Sequence, residues 1–197
     1  MLGTDGVARG LIGPHEAPRL WDRHVLNCAA VAELVPPRSR VVDVGSGAGL
    51  PGIVLALARP DLDVFLLEPL ARRVVFLQEC RDRLGLGSVT VVRGRAEEAD
   101  VVRRVAGADV VTARAVANLD RLADWCLPLL RPGGLLLAIK GETAAEELAE
   151  SRPALRRAGG VQAKVVQIGS SVVSPTAVVV VVRRGTVPAR ARGGRGR

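Results

Sequence analysis

The chain has 197 residues, 48% of them apolar, and carries 28 basic against 20 acidic side chains for a net charge of +8. That length suits one domain with a core of its own, and no apolar run approaches the roughly 18 residues of a membrane helix, which excludes a helical membrane protein. Met1 to Gly13 lacks the apolar stretch of a signal peptide, and the three cysteines, Cys28, Cys80 and Cys126, are widely spaced and match no metal-ligand pattern. Buried reduced thiols in a cytoplasmic protein without a metal site are therefore expected.

The charge is uneven. From Ser151 onward there is no Asp or Glu but ten basic residues, while residues 1–150 hold 18 basic against 20 acidic. A basic C-terminal quarter suits a polyanionic partner such as RNA, although an arginine-rich composition alone produces the same count.

In chain order, a β-branched run at Val41–Val44 forms the first strand and breaks into Gly45, Gly47, Gly49 and Gly52. Pro51 suits the first turn of the helix that follows over Ile53–Ala58. Asp63–Glu68 reads as a second strand, Ala71–Leu84 as a helix stopped by Gly85, Val89–Val92 as a third strand and Glu97–Val105 as a helix. Ala108–Ala113 is the fourth strand, Leu119–Leu130 a helix, Arg131–Gly134 a turn, and Leu135–Ile139 the fifth strand. Glu142–Arg157 is helical, and Ala163–Ile168 and Ala177–Val182 are the last strands. Alternating strands and helices, the early strands apolar throughout, give an α/β protein with a parallel sheet covered on both faces. Only residues 169–176 separate the last two strands, too few for a crossover helix, so they pair antiparallel. Arg183–Arg197, rich in Arg, Gly and Pro, is expected to be disordered.

The strand–glycine loop–helix unit is where an open α/β sheet binds a nucleotide-like ligand. Gly47-Ala48-Gly49-Leu50-Pro51-Gly52 satisfies the dinucleotide pattern G-x-G-x-x-G, so a nicotinamide cofactor has to be weighed. Asp43, just before the loop, would repel a pyrophosphate, and the loop holds no Arg or Lys to offset it. A sulfonium ligand with an amino group has the opposite preference. Glu68 accepts from ribose hydroxyls in either scheme, and Glu97 can meet an adenine amino group or serve only as a first-turn helix acid. Acids after three successive strands favour S-adenosylmethionine.

Several segments are specific. Leu20-Trp21-Asp22-Arg23-His24-Val25-Leu26-Asn27-Cys28 and Asp43 to Gly52 closely resemble the RsmG (GidB) family of bacterial 16S ribosomal RNA guanine-N7 methyltransferases. So do Arg72 to Leu77, Gly94 to Glu98, Ala113-Arg114-Ala115 and Ile139-Lys140-Gly141. The likeness runs from about Trp21 to Val182. It implies a class I S-adenosylmethionine-dependent methyltransferase fold, Rossmann-like, with a mostly parallel seven-stranded sheet and an antiparallel final strand. It implies a cap over residues 1–36, shorter than the family's, a methyltransferase domain over 37–183 and a basic tail over 184–197. The cofactor would be held by Asp43, Gly45, Gly47, Leu50, Glu68, Ala96, Glu97 and Arg114. Gly45 and Leu50 would lie at its methionine and sulfonium end, and Arg114 on the acceptor side. Arg23 and His24 would orient the cofactor loop or meet RNA, and Lys140 would meet RNA. The partner implied is 16S ribosomal RNA or the small ribosomal subunit, with the enzyme a cytoplasmic monomer and no membrane involved.

The residues support that chemistry independently. Methyl transfer from a sulfonium is an in-line displacement that depends on alignment. Guanine N7 carries a lone pair and no proton, so no general base is needed, and none is obvious. The Asn/Asp-Pro-Pro-aromatic motif of amino-methyltransferases is missing after the fourth strand, where Ala113-Arg114-Ala115-Val116 stands. Arg114 is the expected catalytic residue, bonding guanine O6 or a phosphate, and Lys140 is a phosphate contact. Trp21 is the expected platform for an extruded base; Trp125 and Cys126 are assigned to the core. A methyltransferase for a small molecule or protein, or an RNA-binding protein with a vestigial cofactor site, are the alternatives.

Overall fold

A computed structural model of the chain describes residues 1–169 and 176–186. Seven strands, β1 (Arg40–Val44), β2 (Asp63–Glu68), β3 (Val89–Arg93), β4 (Ala108–Arg114), β5 (Leu130–Lys140), β6 (Gly160–Ile168) and β7 (Ala177–Arg184), form one sheet in the order 3-2-1-4-5-7-6. β1 to β5 pair in parallel, and β7 runs antiparallel to both β5 and β6. The order reverses between β1 and β4, the position where doubly wound sheets open a crevice at their carboxyl ends.

Neighbouring residues along each strand go to opposite faces. Val41, Leu66, Val110 and Val179 pack with Phe76 and Leu77 of α3 (Ala71–Arg83), Leu55 of α2 (Gly52–Ala58) and Ala30 of α1 (Leu26–Ala30). Val42, Leu67, Val111 and Val180 pack with Val105 of α4 (Ala99–Val105), Leu122 of α5 (Leu119–Cys126) and Leu148 of α6 (Ala144–Arg157). Period-two strands buried on both sides give two cores, each removing apolar side chains from water at roughly 1.5–3 kcal/mol apiece. Short helical turns at Leu2–Gly6, Pro14–Arg19, Leu20–Val25 and Val31–Leu34 precede β1, and Val31 and Val35 are buried in the α2/α3 core.

Several element boundaries differ from expectation, among them β6, which starts at Gly160 rather than Ala163, and α6, which starts at Ala144 rather than Glu142. The helix expected from Glu97 starts at Ala99, because Arg95–Glu98 close a turn in which the Glu98 amide donates to the Arg95 carbonyl. The helix expected to Leu130 stops at Cys126: Pro128 has no N–H to continue it, and a single tight turn at Leu127–Leu129 follows. β5 starts at Leu130 rather than Leu135, and the expected turn Arg131–Gly134 lies inside it as a bulge between the pairs Ala108–Leu130 and Val110–Leu135. Gly134 permits this, since a Cβ there would stand 3.0 Å from the Asp109 carbonyl. Finally, Arg183 and Arg184 belong to β7, not to a tail. The disorder expected beyond them falls on 187–197, outside the described residues, as does most of the connection at 170–175. No helix among the described residues is long and apolar enough to cross a membrane.

Candidate active site

β1 hands the chain to the glycine loop, and Asp43 organises the turn. Its fully buried carboxylate accepts from the Gly52 amide through Oδ2 at 3.1 Å and from the Thr112 hydroxyl through Oδ1 at 2.8 Å. Ser46 Oγ donates to the Asp43 carbonyl at 2.8 Å. The loop is thereby folded back onto β1 and fastened to β4. Burial pushes the Asp43 carboxyl up to about 6, with these hydrogen bonds opposing the shift. Asp43 lines neither cavity described below and shapes the loop from behind.

A cavity of about 340 Å³ sits over the carboxyl ends of β1 to β4. Gly45 forms part of its floor with φ of +69°, and a Cβ there would stand 2.7 Å from Val116 Cγ2; only glycine fits both demands. Glu68, 1% exposed, accepts from the amides of Gly47 and Leu70, each at 3.0 Å, one on each oxygen. A carboxylate offers about four acceptor sites, so two remain for ligand hydroxyls. Ala96 and Glu97 line the same cavity from the turn before α4. Gly47 contributes through its amide to Glu68 rather than as lining, and Leu50, which precedes the cis peptide to Pro51, lies outside the lining.

Arg73 and Trp125 are among the lining residues that were not anticipated. Arg73 of α3 brings Nη1 to 3.7 Å from Glu68 Oε2, so a cation does stand beside the glycine loop, supplied by the helix after β2 rather than by the loop itself. Trp125, assigned to the core, is half-buried and faces the cavity. It lies on the same stripe of α5 as Leu122 and Cys126, and helical periodicity does not separate a core position from a cavity wall. Cys126 is fully buried as expected, and Trp21 is 67% exposed and lines neither cavity.

A second cavity, about 720 Å³, adjoins the first. Arg23, His24 and Asn27 line it from the segment before β1, and Arg114 and Lys140 from the ends of β4 and β5. The structure thus brings together the residues expected to face the acceptor. Arg114 lines this cavity and not the first. Ala115 lines both, with φ of +54°. A non-glycine residue in that region stores about 1–2 kcal/mol of strain and persists where the surroundings dictate it.

Arg114 is held by the N-terminal segment. Nη1 donates to Cys28 Sγ at 2.9 Å and to the His24 carbonyl at 3.4 Å; Nη2 donates to the Arg23 carbonyl at 3.4 Å and to His24 Nδ1. Burial pushes the Cys28 thiol up to about 11, so sulfur meets the guanidinium as a neutral weak acceptor. His24 Nε2 in turn meets Glu16 Oε2 at 2.8 Å. Lys140 lines the same cavity from the end of β5. Its ammonium donates to the Ala117 carbonyl at 2.9 Å and to Glu147 Oε1 at 2.8 Å, so the charge is already paired.

The first cavity suits S-adenosylmethionine by its own chemistry: a side-chain-free approach at Gly45, open acceptors on Glu68 for a ribose, and a small buried residue, Ala96, beside the aromatic wall of Trp125. Among the described residues no group of three His, Cys, Asp or Glu is placed to hold a metal ion.

A family model described as GidB, rRNA small subunit methyltransferase G, matches residues 1–173. The chain is 59% identical over 208 residues to ribosomal RNA small subunit methyltransferase G of Salinispora arenicola, covering 99% of this chain and 86% of that protein. It is 56% identical to the protein of the same name from Streptomyces avermitilis, covering 98% and 80%. In fold it is similar to M. jannaschii TYW2 in complex with AdoMet, with a TM-score of 0.64 and 18% identity over 83% of this chain and 76% of that one. It is also similar to the S-adenosylmethionine-dependent methyltransferase SibL, with a TM-score of 0.67 and 18% identity over 87% and 57%.

Proposed function

The chain belongs to the GidB family, rRNA small subunit methyltransferase G, and from that premise we propose that it methylates N7 of a guanine in 16S ribosomal RNA, with S-adenosylmethionine as donor. The observation that carries the reading is the meeting of two cavities at Ala115, one suited to the donor and one bearing a guanidinium for the acceptor. Bound S-adenosylmethionine supplies an electrophilic methyl group on a sulfonium. Gly45, Glu68, Ala96, Glu97 and Trp125 hold and orient it, and the buried floor of Val44 and Leu67 keeps water from that end. Among the described residues Arg114 Nε has no protein partner, and that donor is free for guanine O6, next to the nitrogen that reacts. Arg23 on the rim meets a flanking phosphate. No proton leaves N7, so alignment replaces acid–base work. The reading makes the enzyme cytoplasmic, with the small ribosomal subunit or its RNA as partner. Support for a monomer is that one chain lines both cavities.

The test offers labelled S-adenosylmethionine with 16S RNA, small-subunit particles and cell extract, and locates the label by strand cleavage at N7-methylguanine. Label at one guanine is expected, and Arg114→Ala should lower kcat about 100-fold or more while the KM for the cofactor stays within about twofold. Label confined to a small molecule or a protein would overturn the RNA reading. Unchanged turnover in Arg114→Ala would remove Arg114 from it.

A further inference from the structure

We propose that Glu16 is a positioning residue for this transfer, acting through His24 on Arg114; the proposal rests on the reading of Arg114 given above. A guanidinium has donors and no lone pair, so the imidazole nitrogen it meets, Nδ1, has to be unprotonated. The proton of a neutral ring then lies on Nε2, where it donates to Glu16 Oε2 at 2.8 Å. Glu16, as a carboxylate, can only accept, and the hydrogen bond from His24 holds its carboxyl below the ordinary range, so it stays an acceptor. Glu16 therefore selects the tautomer that turns a lone pair toward Arg114.

The other anchors of Arg114 do not replace this contact. Two are carbonyls at 3.4 Å, near the limit of a hydrogen bond, and the third is a neutral thiol. Without Glu16 the ring is free to carry its proton on Nδ1, which sets two donors against each other and displaces the guanidinium from the acceptor cavity. The three residues come from Pro14–Arg19, Leu20–Val25 and the end of β4, and all line that cavity. The segment before β1 thus sets the orientation of a residue that β4 presents.

The variants separate the link from simple contact with substrate. Glu16→Ala should lower kcat about tenfold, the cost of one hydrogen bond to a charged group, with the KM for the cofactor unchanged. His24→Asn places Oδ1 where Nδ1 was and needs no tautomer. His24→Gln restores only the group facing Glu16. His24→Asn should therefore cost less than His24→Gln, and adding Glu16→Ala to His24→Asn should cost no further activity. Imidazole ¹⁵N shifts in the full chain, where only His15 and His24 contribute, should show the proton of His24 on Nε2 in the wild type and a mixture in Glu16→Ala. That spectrum stands whether or not RNA proves to be the acceptor. Three results would overturn the proposal: a wild-type proton on Nδ1, full activity in Glu16→Ala, or the same Glu16→Ala loss in the His24→Asn background.

Discussion

A carboxylate sealed from water has to be held by donors, and Asp43 has the Gly52 amide and the Thr112 hydroxyl. They do not cancel the cost of burying its charge, since its carboxyl sits at about 6 against an ordinary 3.8. Between those values the folded chain binds a proton that the unfolded chain has released. Stability therefore falls as pH rises through that window and levels off above about 6, a change of roughly 3 kcal/mol. Asp43→Asn abolishes this titration while an amide can still accept from Gly52. Urea unfolding at pH 4.5 and 7 should show the wild type losing about 2 kcal/mol more than the variant over that interval. Equal losses would mean that the loop carries no protonation change at Asp43. The sequence showed the acid before the glycines but not its direction. A residue at a strand end faces either the crevice or the sheet, and only the partners on Thr112 and Gly52 decide which.

At the scale of elements, Glu147 joins three of them. Its Oε1 accepts from Lys140 at the end of β5 and from the Leu119 amide at the start of α5, each at 2.8 Å, while Glu147 itself lies on α6. The segment thus pinned, Ala115–Asn118, includes the walls of both cavities. Lys140→Met would leave the Ala117 carbonyl and the Glu147 charge short of a donor, and should cost about 2–3 kcal/mol in urea unfolding. Lys140→Met with Glu147→Gln should recover part of that loss. Because the ammonium is already paired, Lys140→Met should leave the salt dependence of RNA binding unchanged, whereas Arg23→Ala should lower its slope by about 0.7. Strands were legible here because apolar β-branched runs such as Val110–Val111 between turn residues have few other readings. Helix ends were not. The stop at Cys126 depends on Pro128, the start at Ala99 on a backbone turn, and the bulge in β5 on Gly134 passing beside the Asp109 carbonyl.

On the scale of the whole molecule, the donor side of the site was largely readable because Gly45, Glu68 and Ala96 lie at or just past the ends of successive strands, and a parallel sheet brings those ends together. The acceptor side was readable only as a set of motif residues. Its connections span the chain: His24 and Arg114 are 90 positions apart, and no local pattern links Glu16 to either. The charge distribution makes a separate statement. Residues 187–197 hold four arginines, Arg190, Arg192, Arg195 and Arg197, and no acid. Arg183 and Arg184 do not belong with them, since they donate to the carbonyls of Gly133 and Pro128 and hold β7 against the β5 bulge. A truncation that tests the tail therefore has to follow Thr186 and leave β7 whole. If the four arginines each displace one counterion, the slope of log affinity for single-stranded 16S fragments against log salt should fall by about 2–3, at roughly 0.7 per contact. Turnover at saturating RNA should not change, because the residues that the reading gives the transfer, Gly45, Glu68, Ala96 and Arg114, all lie ahead of the tail. An unchanged slope would confine the RNA-binding charge to the cavity rim around Arg23, and the basic C-terminal quarter would then be a matter of composition rather than recognition.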